Sequence, residues 1–304
     1  MAPPLCKSLR KRLTAYTNEL PGLEQGRVGA VHRARVATRR LREALRLLDS
    51  SRATTDHLCR RLRKVTKELG DVRELDVLAE LLEEMKTRGG SSPEAVERVA
   101  VAVNRERDRS RAQLGDKLGE LQLHDLGDEL EEFCSKLESA DGNAPRDTAA
   151  RARHGTMKAR LAHRAGGALV ALAHAGTVYV PRHLHAVRIA LKKLRYAAEF
   201  QDEAEGRRLA PLFEELKAAQ SLLGRLHDLE GLLGWVREVQ ASLSPPDLKA
   251  WRELRSVANV IEEDCCRLHA SFLRGRSRLI AAVNRLRGSG YPGCENPARR
   301  SARR

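Results

Sequence analysis

Aromatic residues are scarce in this chain of 304 residues, which contains four Phe, four Tyr and two Trp, or 3% of the sequence. Proteins that bind single-stranded nucleic acid usually stack the bases on aromatic side chains, so this scarcity argues against that kind of binding. The apolar residues make up 41% of the chain and are mostly Ala, Leu and Val, which suits helix packing. No segment alternates apolar and polar residues for long enough to indicate a β-strand.

The cysteines follow no regular spacing. The six are Cys6, Cys59, Cys134, Cys265, Cys266 and Cys294. They match neither a disulfide framework nor a zinc site, and Cys266 with His269 supplies only half of one, so we expect reduced thiols, no metal and no cofactor. The opening segment MAPPLCKSLRKR has no apolar core, and no window approaches about 18 apolar residues. We therefore expect a cytoplasmic protein without a signal peptide or a transmembrane helix.

Familiar catalytic motifs are also missing, namely G-x-x-x-x-G-K-[ST], H-E-x-x-H and G-x-S-x-G. Phosphoryl transfer requires a metal clamp or a nucleophile with its base. The acidic pairs Glu74/Asp76 and Asp228/Glu230 offer oxygen ligands for Mg²⁺, but a charge at a helix start or an internal salt bridge explains them better. The sequence therefore predicts a protein that is not an enzyme.

Positive charge is what the chain has in excess. It carries 56 Lys and Arg against 41 Asp and Glu, which gives a net charge of +15 and an isoelectric point near 10.0. Residues 31–67 hold twelve basic and three acidic residues, whereas residues 94–139 hold seven basic and twelve acidic residues. A surplus concentrated in this way indicates an acidic partner, such as nucleic acid, anionic lipid or another polyanion.

The chain contains an internal repeat. His32, Arg35 and Leu41 fall on His185, Arg188 and Leu194 at an offset of 153, and LGDVRELDVL at 69–78 falls on LGRLHDLEGL at 223–232 at an offset of 154. Two similar segments in the same order indicate duplication. We predict a first helical repeat over 1–142, a second over 143–287 and a disordered basic tail over 288–304.

Helical periodicity dominates both repeats and predicts an all-α protein. Loop-forming Gly and Pro separate the candidate helices, and the isolated Gly70 and Gly224 are taken as helix ends. Another helix end is predicted near residue 272. The expected architecture is a pair of related helical bundles.

One helix in each repeat has an almost purely cationic face. At about 100° per residue, His32, Arg35, Arg39, Arg42 and Arg46 share a sector of one helix, and this set is called the first stripe. The second stripe, on a second helix, consists of His185, Arg188, Lys192 and Arg195. The apolar residues opposite the two stripes are predicted to be buried. They are Ala34, Leu41, Leu45 and Leu48 in the first helix and Val187, Leu191, Leu194 and Ala198 in the second.

Such a face opposes folding, because cations three and four residues apart on a helix repel one another. An anion-binding surface explains the pattern better than a solvated face, which would intersperse acidic residues. Arginine suits this role, since its guanidinium stays charged and can donate two parallel N–H bonds to phosphate oxygens. The histidine at the start of each stripe is interpreted as a hydrogen-bond donor to phosphate, and its protonation is expected to depend on the bound ligand.

The sequences H-x-x-R-x-x-x-R-R-L-R at 32–42 and H-x-x-R-I-x-x-K-K-L-R-Y at 185–196 resemble the CHAD domain, the conserved histidine α-helical domain. The L-G-x-x-x-[ED]-x-[DE] segments at 69–76 and 223–230 strengthen this resemblance, which covers roughly residues 5–285. The resemblance implies two four-helix bundles related by a pseudo-two-fold axis, with a central basic groove or pore. It also implies an association with inorganic polyphosphate and its granules. A stand-alone member is expected, since the sequence leaves no room for a CYTH domain and shows no E-x-E-x-K near its start.

The resemblance implies that both stripes contact polyphosphate. Arg46 completes the first stripe in this prediction, and the weaker candidates are Arg63, Lys67, Arg73, Lys217 and His227. The two repeats differ where Lys192 replaces Arg39 and where Glu199 replaces Arg46, so they are expected to bind unequally.

Three alternatives stay open at this point. The net charge permits non-specific binding of nucleic acid, to which the Arg-rich end of the chain would add loose affinity. A metal-dependent enzyme that processes polyphosphate or triphosphate is the second. A membrane surface is the least favoured, because the aliphatic faces opposite the stripes are needed for the bundle core. Oligomeric state does not follow from the sequence.

Overall fold

The computed structural model describes residues 4–48, 52–143, 146–205 and 210–289. Its helices are α1 (Pro4–Thr17), α2 (Leu20–Glu24), α3 (Val28–Leu48), α4 (Arg52–Arg88), α5 (Pro93–Glu120), α6 (Leu123–Asn143), α7 (Arg146–His174), α8 (Pro181–Glu205), α9 (Ala210–Ala241) and α10 (Leu248–Ser289). No strand occurs within these ranges, so the all-α prediction is confirmed. Nor does any helix in them combine the length and apolar character needed to cross a bilayer.

Local sequence explains several helix starts. Ser92 precedes α5, and its hydroxyl accepts a hydrogen bond from the backbone N–H of Ala95, while Pro93 occupies the first turn. Asp247 precedes α10 and accepts a hydrogen bond from the N–H of Ala250 in the same way. Such side chains satisfy backbone N–H groups that have no partner within the helix.

The helices that carry the stripes are amphipathic, as predicted. All eight apolar residues predicted to lie opposite the stripes are buried. These residues repeat at intervals of three and four on one side of α3 and of α8. The cationic faces therefore cannot turn inward without exposing the core.

The predicted helix ends at Gly70 and Gly224 were wrong, because α4 and α9 run through them without a break. The predicted break within α10 is also absent. A glycine inside a helix costs only about 1 kcal/mol relative to alanine. Burial of apolar side chains on both sides, such as Leu69 and Val72 beside Gly70, outweighs that cost.

Two hydrophobic cores organise the packing. The central core joins α1, α3, α6, α7 and α8 to the first half of α4 and of α9 and to the second half of α10. The distal core consists of the second half of α4, the first half of α5, the second half of α9 and the first half of α10. Both cores therefore draw on residues of both predicted repeats.

The predicted repeat boundary between 142 and 143 falls at the end of α6. The predicted disordered tail, 288–304, lies outside the described residues beyond Ser289. Within the central core α3 packs against α8, and α4, which contributes to both cores, packs against α9. The predicted site lies at this junction.

Candidate anion-binding site

The two stripes come together where α3 meets α8. Arg35 and Arg188, which are equivalent at the offset of 153, lie within Coulomb range of each other. Arg39 and Lys192, equivalent at the same offset, are also within range of each other. These four residues and the nearby His185 and His227 are called the central cation cluster. The cluster thus combines side chains from both predicted repeats.

Arg35 and Arg188 are half-buried and hold their guanidinium groups without a complete set of acceptors. The Nε atom of each is buried and makes no hydrogen bond within the described residues. Burial, followed by repulsion from Arg39 and Arg188, lowers the pKa of Arg35 to about 10. A buried donor without an acceptor costs about 1–3 kcal/mol, so the fold tolerates an unfavourable arrangement here.

Arg61 shows how a structural arginine differs. It donates to the carboxylate of Glu129 at 2.8 Å and to the carbonyl oxygens of Leu121 and Gln122 at 3.1 and 3.0 Å. Each of these acceptors fixes the junction between α4 and the start of α6. Arg35 and Arg188 have no comparable set of bonds.

Lys192 is the most strongly perturbed cation of the cluster. Burial lowers its pKa to about 6, and the charges of Arg188, Arg39 and Arg35 contribute in that order. The amine is therefore largely neutral at pH 7 in the free protein. An anion close to Lys192 would favour the charged ammonium and raise this pKa.

The two histidines of the cluster face each other. The ring centroids of His185 and His227 are 4.7 Å apart, with the planes tilted by 49°. Burial lowers the pKa of His227 to about 4, and Arg188 adds to this effect. The pKa of His185 is lowered first by burial and then by Arg188. Both imidazoles are therefore neutral near pH 7 unless an anion joins them.

His32 and Arg73 lie at the edge of the cluster. Partial burial lowers the pKa of His32, and the charges of Arg73 and Arg35 lower it further. Arg73 donates to the carboxylate of Glu80 at 2.8 Å and 3.4 Å. Arg73 is thus the equivalent of His227, but it already has a protein partner.

Two acidic residues of the predicted motif accompany the cations. The charge of Glu74 acts on Arg35 and Arg188, and the charge of Asp228 acts on Arg188 and Lys192. Burial raises the pKa of Asp228, although Arg188 and Lys192 oppose this. Among the described residues neither acid forms an ion pair with Arg35 or Arg188, so the predicted internal salt bridge to these arginines is not present.

The other acid of each motif is held elsewhere. Asp76 is buried and accepts a hydrogen bond from Arg111, and Glu230 accepts one from the hydroxyl of Tyr179. Within the described ranges no three His, Cys, Asp or Glu side chains are arranged to hold a metal ion.

The remaining predicted residues are not members of the central cation cluster. Arg42 and Arg46 continue the first stripe along α3, and Arg46 pairs with Glu43 at 3.4 Å. Arg195 lies 3.4 Å from Glu199. The others are exposed on α4 and α9, where Lys217 pairs with Glu214. They are Arg63, Lys67 and Lys217.

Tyr196 was not predicted to contribute to the site. Its ring is 5% exposed and lies beneath three guanidinium groups, with centroid distances of 5.7 Å to Arg39, 5.8 Å to Arg40 and 5.2 Å to Arg195. Cations above a ring face are stabilised by its negative charge density. The repeat alignment contained a signal, since Tyr196 stands where the first repeat has Glu43.

The contact between α3 and α8 is reciprocal. Arg40 lies 3.6 Å from Glu199, and Lys193 lies within Coulomb range of Arg46. The offset of 153 converts the first of these pairs into the second. The predicted pseudo-two-fold axis would produce such pairs.

Comparisons with known proteins match this architecture. The family model of the CHAD domain matches residues 7–237. The structure of PptA from Streptomyces chartreusis is similar at a TM-score of 0.65 and 17% identity, and the match covers 90% of this chain and 97% of PptA. The crystal structure of the CHAD domain from the plant Ricinus communis is similar at a TM-score of 0.57 and 20% identity, with coverage of 93% and 92%. No curated protein shows significant sequence similarity to this chain.

Proposed function

The chain belongs to the CHAD domain family, and from this premise we propose that it binds inorganic polyphosphate without catalysing a reaction on it. One observation carries the proposal. Arg35 and Arg188 converge from the two predicted repeats with buried Nε atoms that have no acceptor in the described structure. A chain of phosphates supplies acceptors and negative charge to both at once.

The electrostatics of the cluster favour a polyanion over a single small anion. Arg35, Arg39 and Arg188 carry charge in the free protein, and Lys192, His185 and His227 gain charge when an anion joins them, whereas Glu74 and Asp228 offset only part of this total. Guanidinium groups bind phosphate oxygens through charge-assisted hydrogen bonds, which are about twice as strong as neutral ones. A polymer brings several phosphates at a fixed spacing, so one ligand can neutralise both stripes.

The site favours inorganic polyphosphate over nucleic acid. Tyr196 contacts arginines of both stripes, and its buried ring is covered by guanidinium groups. It therefore offers no free face for stacking of a base. Non-specific affinity for nucleic acid, arising from the net charge, is the second candidate function.

The acidic residues support the absence of catalysis. Asp76 and Glu230 are engaged with Arg111 and Tyr179, and the charges of Glu74 and Asp228 act on the stripe cations, so each of the four carboxylates has a protein partner or a cation beside it. The alternative, a metal-dependent enzyme acting on polyphosphate or triphosphate, predicts release of orthophosphate when Mg²⁺ or Mn²⁺ is added. We expect no release.

Competition tests the choice of ligand. A labelled long-chain polyphosphate is bound to the full chain and then challenged with equal phosphate equivalents of unlabelled polyphosphate, duplex DNA or RNA. We expect only unlabelled polyphosphate to displace the label efficiently. Equal displacement by DNA or RNA would mean that the protein is a general phosphate-backbone binder.

We place the protein in the cytoplasm, at polyphosphate granules. A fluorescent fusion is expected to form foci in cells that make polyphosphate and to spread evenly in cells that cannot make it. Foci in both kinds of cell would contradict this location.

A further inference from the structure

A second group of cations surrounds Glu43, at the end of the first stripe. The carboxylate of Glu43 is buried and lies 3.4 Å from Nη1 of Arg46 and 2.9 Å from Nη2 of Arg164 on α7. The charges of Arg42 and Lys193 also interact with it. These residues, Glu43 with Arg42, Arg46, Arg164 and Lys193, are called the Glu43 cluster. Among the side chains that the structure describes, one carboxylate there faces four cations.

The equivalent place in the other repeat has a different balance. Glu199 lies near Arg40 and Arg195, and Glu203 pairs with Arg12 at 2.8 Å and with Lys11 at 3.5 Å. This group is called the Glu199 cluster. Each of its two carboxylates faces two cations, so its charges are more nearly matched.

Aromatic rings also pack against the arginines of the Glu199 cluster. The guanidinium of Arg12 lies 4.8 Å from the ring centroid of Phe200 and is 7% exposed, and Tyr196 lies beneath Arg40 and Arg195. In the Glu43 cluster the side chain of Arg46 is 40% exposed and that of Arg164 is 24% exposed. Exposure alone does not separate the two clusters, because Lys11 and Arg40 of the Glu199 cluster are 75% and 43% exposed. The difference lies in the charge balance of the described side chains, with one carboxylate for four cations at Glu43 and two carboxylates for four cations at Glu199.

A continuous row of cations leads from the central cation cluster to the Glu43 cluster. Arg42 lies within Coulomb range of both Arg39 and Arg46. At a rise of 1.5 Å per residue, Arg35 and Arg46 are separated by about 16 Å along α3. The corresponding row on α8 ends at Glu199, where a carboxylate replaces the last cation.

We propose that the Glu43 cluster is a second phosphate-binding station, which holds the segment of the polyanion that leaves the central cation cluster. The polyphosphate then extends from the central cation cluster toward the Glu43 cluster and not past Glu199. The station takes phosphate oxygens of the same inorganic chain, with Lys193 and Arg164 as contacts outside the two stripes. This inference rests on the proposed function.

Chain length separates the two stations experimentally. Tripolyphosphate is too short to reach from Arg35 to Arg46, and we expect it to occupy the central cation cluster, while a long polyphosphate reaches both stations. We expect Lys193→Gln and Arg164→Gln each to weaken binding of the long chain by about tenfold, which is the effect of one charge-assisted contact. Binding of tripolyphosphate stays within about twofold of wild type. The slope of log affinity against log salt falls by about one for the long chain.

Arg40→Gln is the matched control, because Arg40 is the repeat equivalent of Lys193 and belongs to the Glu199 cluster. It is expected to leave both affinities unchanged. A loss of long-chain affinity in Arg40→Gln equal to that in Lys193→Gln would overturn the proposed direction. Unchanged long-chain binding in both Lys193→Gln and Arg164→Gln would show that Arg164 only joins α7 to α3 and that Lys193 does not contact the ligand.

The proposed function fails in a distinguishable way. Arg188→Gln weakens binding of both ligands if the central cation cluster binds polyphosphate. If Arg188→Gln leaves both affinities unchanged, the proposed function is wrong. If Arg188→Gln weakens both while the Lys193 and Arg164 variants bind as wild type, only the second station is wrong. Thermal melting of each purified variant confirms that it is folded.

Discussion

The two stripes occupy equivalent places on α3 and α8, but their side chains differ in whether they stay protonated at neutral pH. The first repeat places Arg39 and Arg73 where the second has Lys192 and His227. Arginine stays protonated in proteins, whereas burial lowers the pKa of Lys192 to about 6 and that of His227 to about 4. The first stripe is therefore charged before a ligand arrives, and the second acquires part of its charge from contact with the ligand.

This difference shows how a duplicated cationic surface can remain folded. Placing two fully charged stripes against each other would add repulsion across the contact of α3 with α8. Neutral Lys192 and His227 reduce that repulsion in the free protein. If phosphates bind as proposed, the second stripe would take up protons and its attraction for the ligand would increase.

The largest effect is expected from the two arginines that are most alike. Arg35→Gln and Arg188→Gln should each weaken binding of long polyphosphate by about 10- to 100-fold, since each removes a charge-assisted contact of about 1.5–3 kcal/mol. Isothermal titration at fixed salt measures the affinities. Arg237→Gln, which removes an exposed cation paired with Glu262 on the distal core, is the control and should bind as wild type.

If only one of these two arginine variants loses affinity, the stripes do not share the ligand. The two-sided interpretation would then be wrong, even if polyphosphate remains the ligand. The double variant is expected to bind more weakly than either single variant.

The sequence was sufficient to predict the two stripes and the buried apolar faces that lie opposite them. Helical periodicity depends on local spacing, so the burial of Leu41 and Leu191 follows from pattern alone. The continuation of α4 through Gly70 did not follow, because it depends on packing against distant helices. The place of Tyr196 beneath arginines of both stripes depends on the contact of α3 with α8, which no local pattern encodes.

The contact residues of the site remain predictions. Arg63 and Lys67 share a basic segment with the stripes in the sequence, and the structure exposes both side chains on α4. The number of basic residues in a segment does not show which of their side chains converge on a site and which are solvated. Only the crossing of α4 with α9 decides which side chains of these helices reach the cluster.

A second comparison concerns stability without ligand. Arg35→Met and Arg188→Met each remove a half-buried charge and an unpaired Nε donor while keeping much of the side-chain volume. Each should raise the free energy of unfolding by about 1 kcal/mol, as replacement of poorly compensated buried charges often does. Urea denaturation without polyphosphate measures this change. A loss of stability in both variants would indicate that the two arginines are structural.

The pH dependence of binding distinguishes the first stripe, whose arginines stay charged, from the second stripe, where Lys192 titrates. Lys192 has a pKa of about 6 in the free protein, and bound phosphate raises it, so binding takes up a proton. The affinity of the wild type should therefore rise a few-fold as the pH falls from about 8 to 6. Below the pKa of the free protein the amine is already charged, and its contribution to the pH dependence ends.

Lys192→Arg makes the second stripe like the first. Arginine is charged across this range, so the variant should bind more tightly than wild type at pH 8 and show a flatter pH profile. The remaining slope at lower pH comes from the lowered pKa values of His185 and His227. Identical profiles for the variant and the wild type would show that Lys192 does not titrate on binding.

The smallest effect compares the two equivalent glycines. A Cβ atom at Gly224 would meet no atom within 4 Å, whereas one at Gly70 would lie 3.5 Å from Nε and 3.6 Å from Nη2 of Arg35. Both residues are inside helices, so replacement by alanine should raise the free energy of unfolding by about 0.5–1 kcal/mol. Gly224→Ala should leave polyphosphate affinity unchanged, but Gly70→Ala should lower it slightly, because the added methyl group restricts the guanidinium of Arg35. Equal affinities for the two variants would mean that Arg35 does not need the space above Gly70 to reach its ligand.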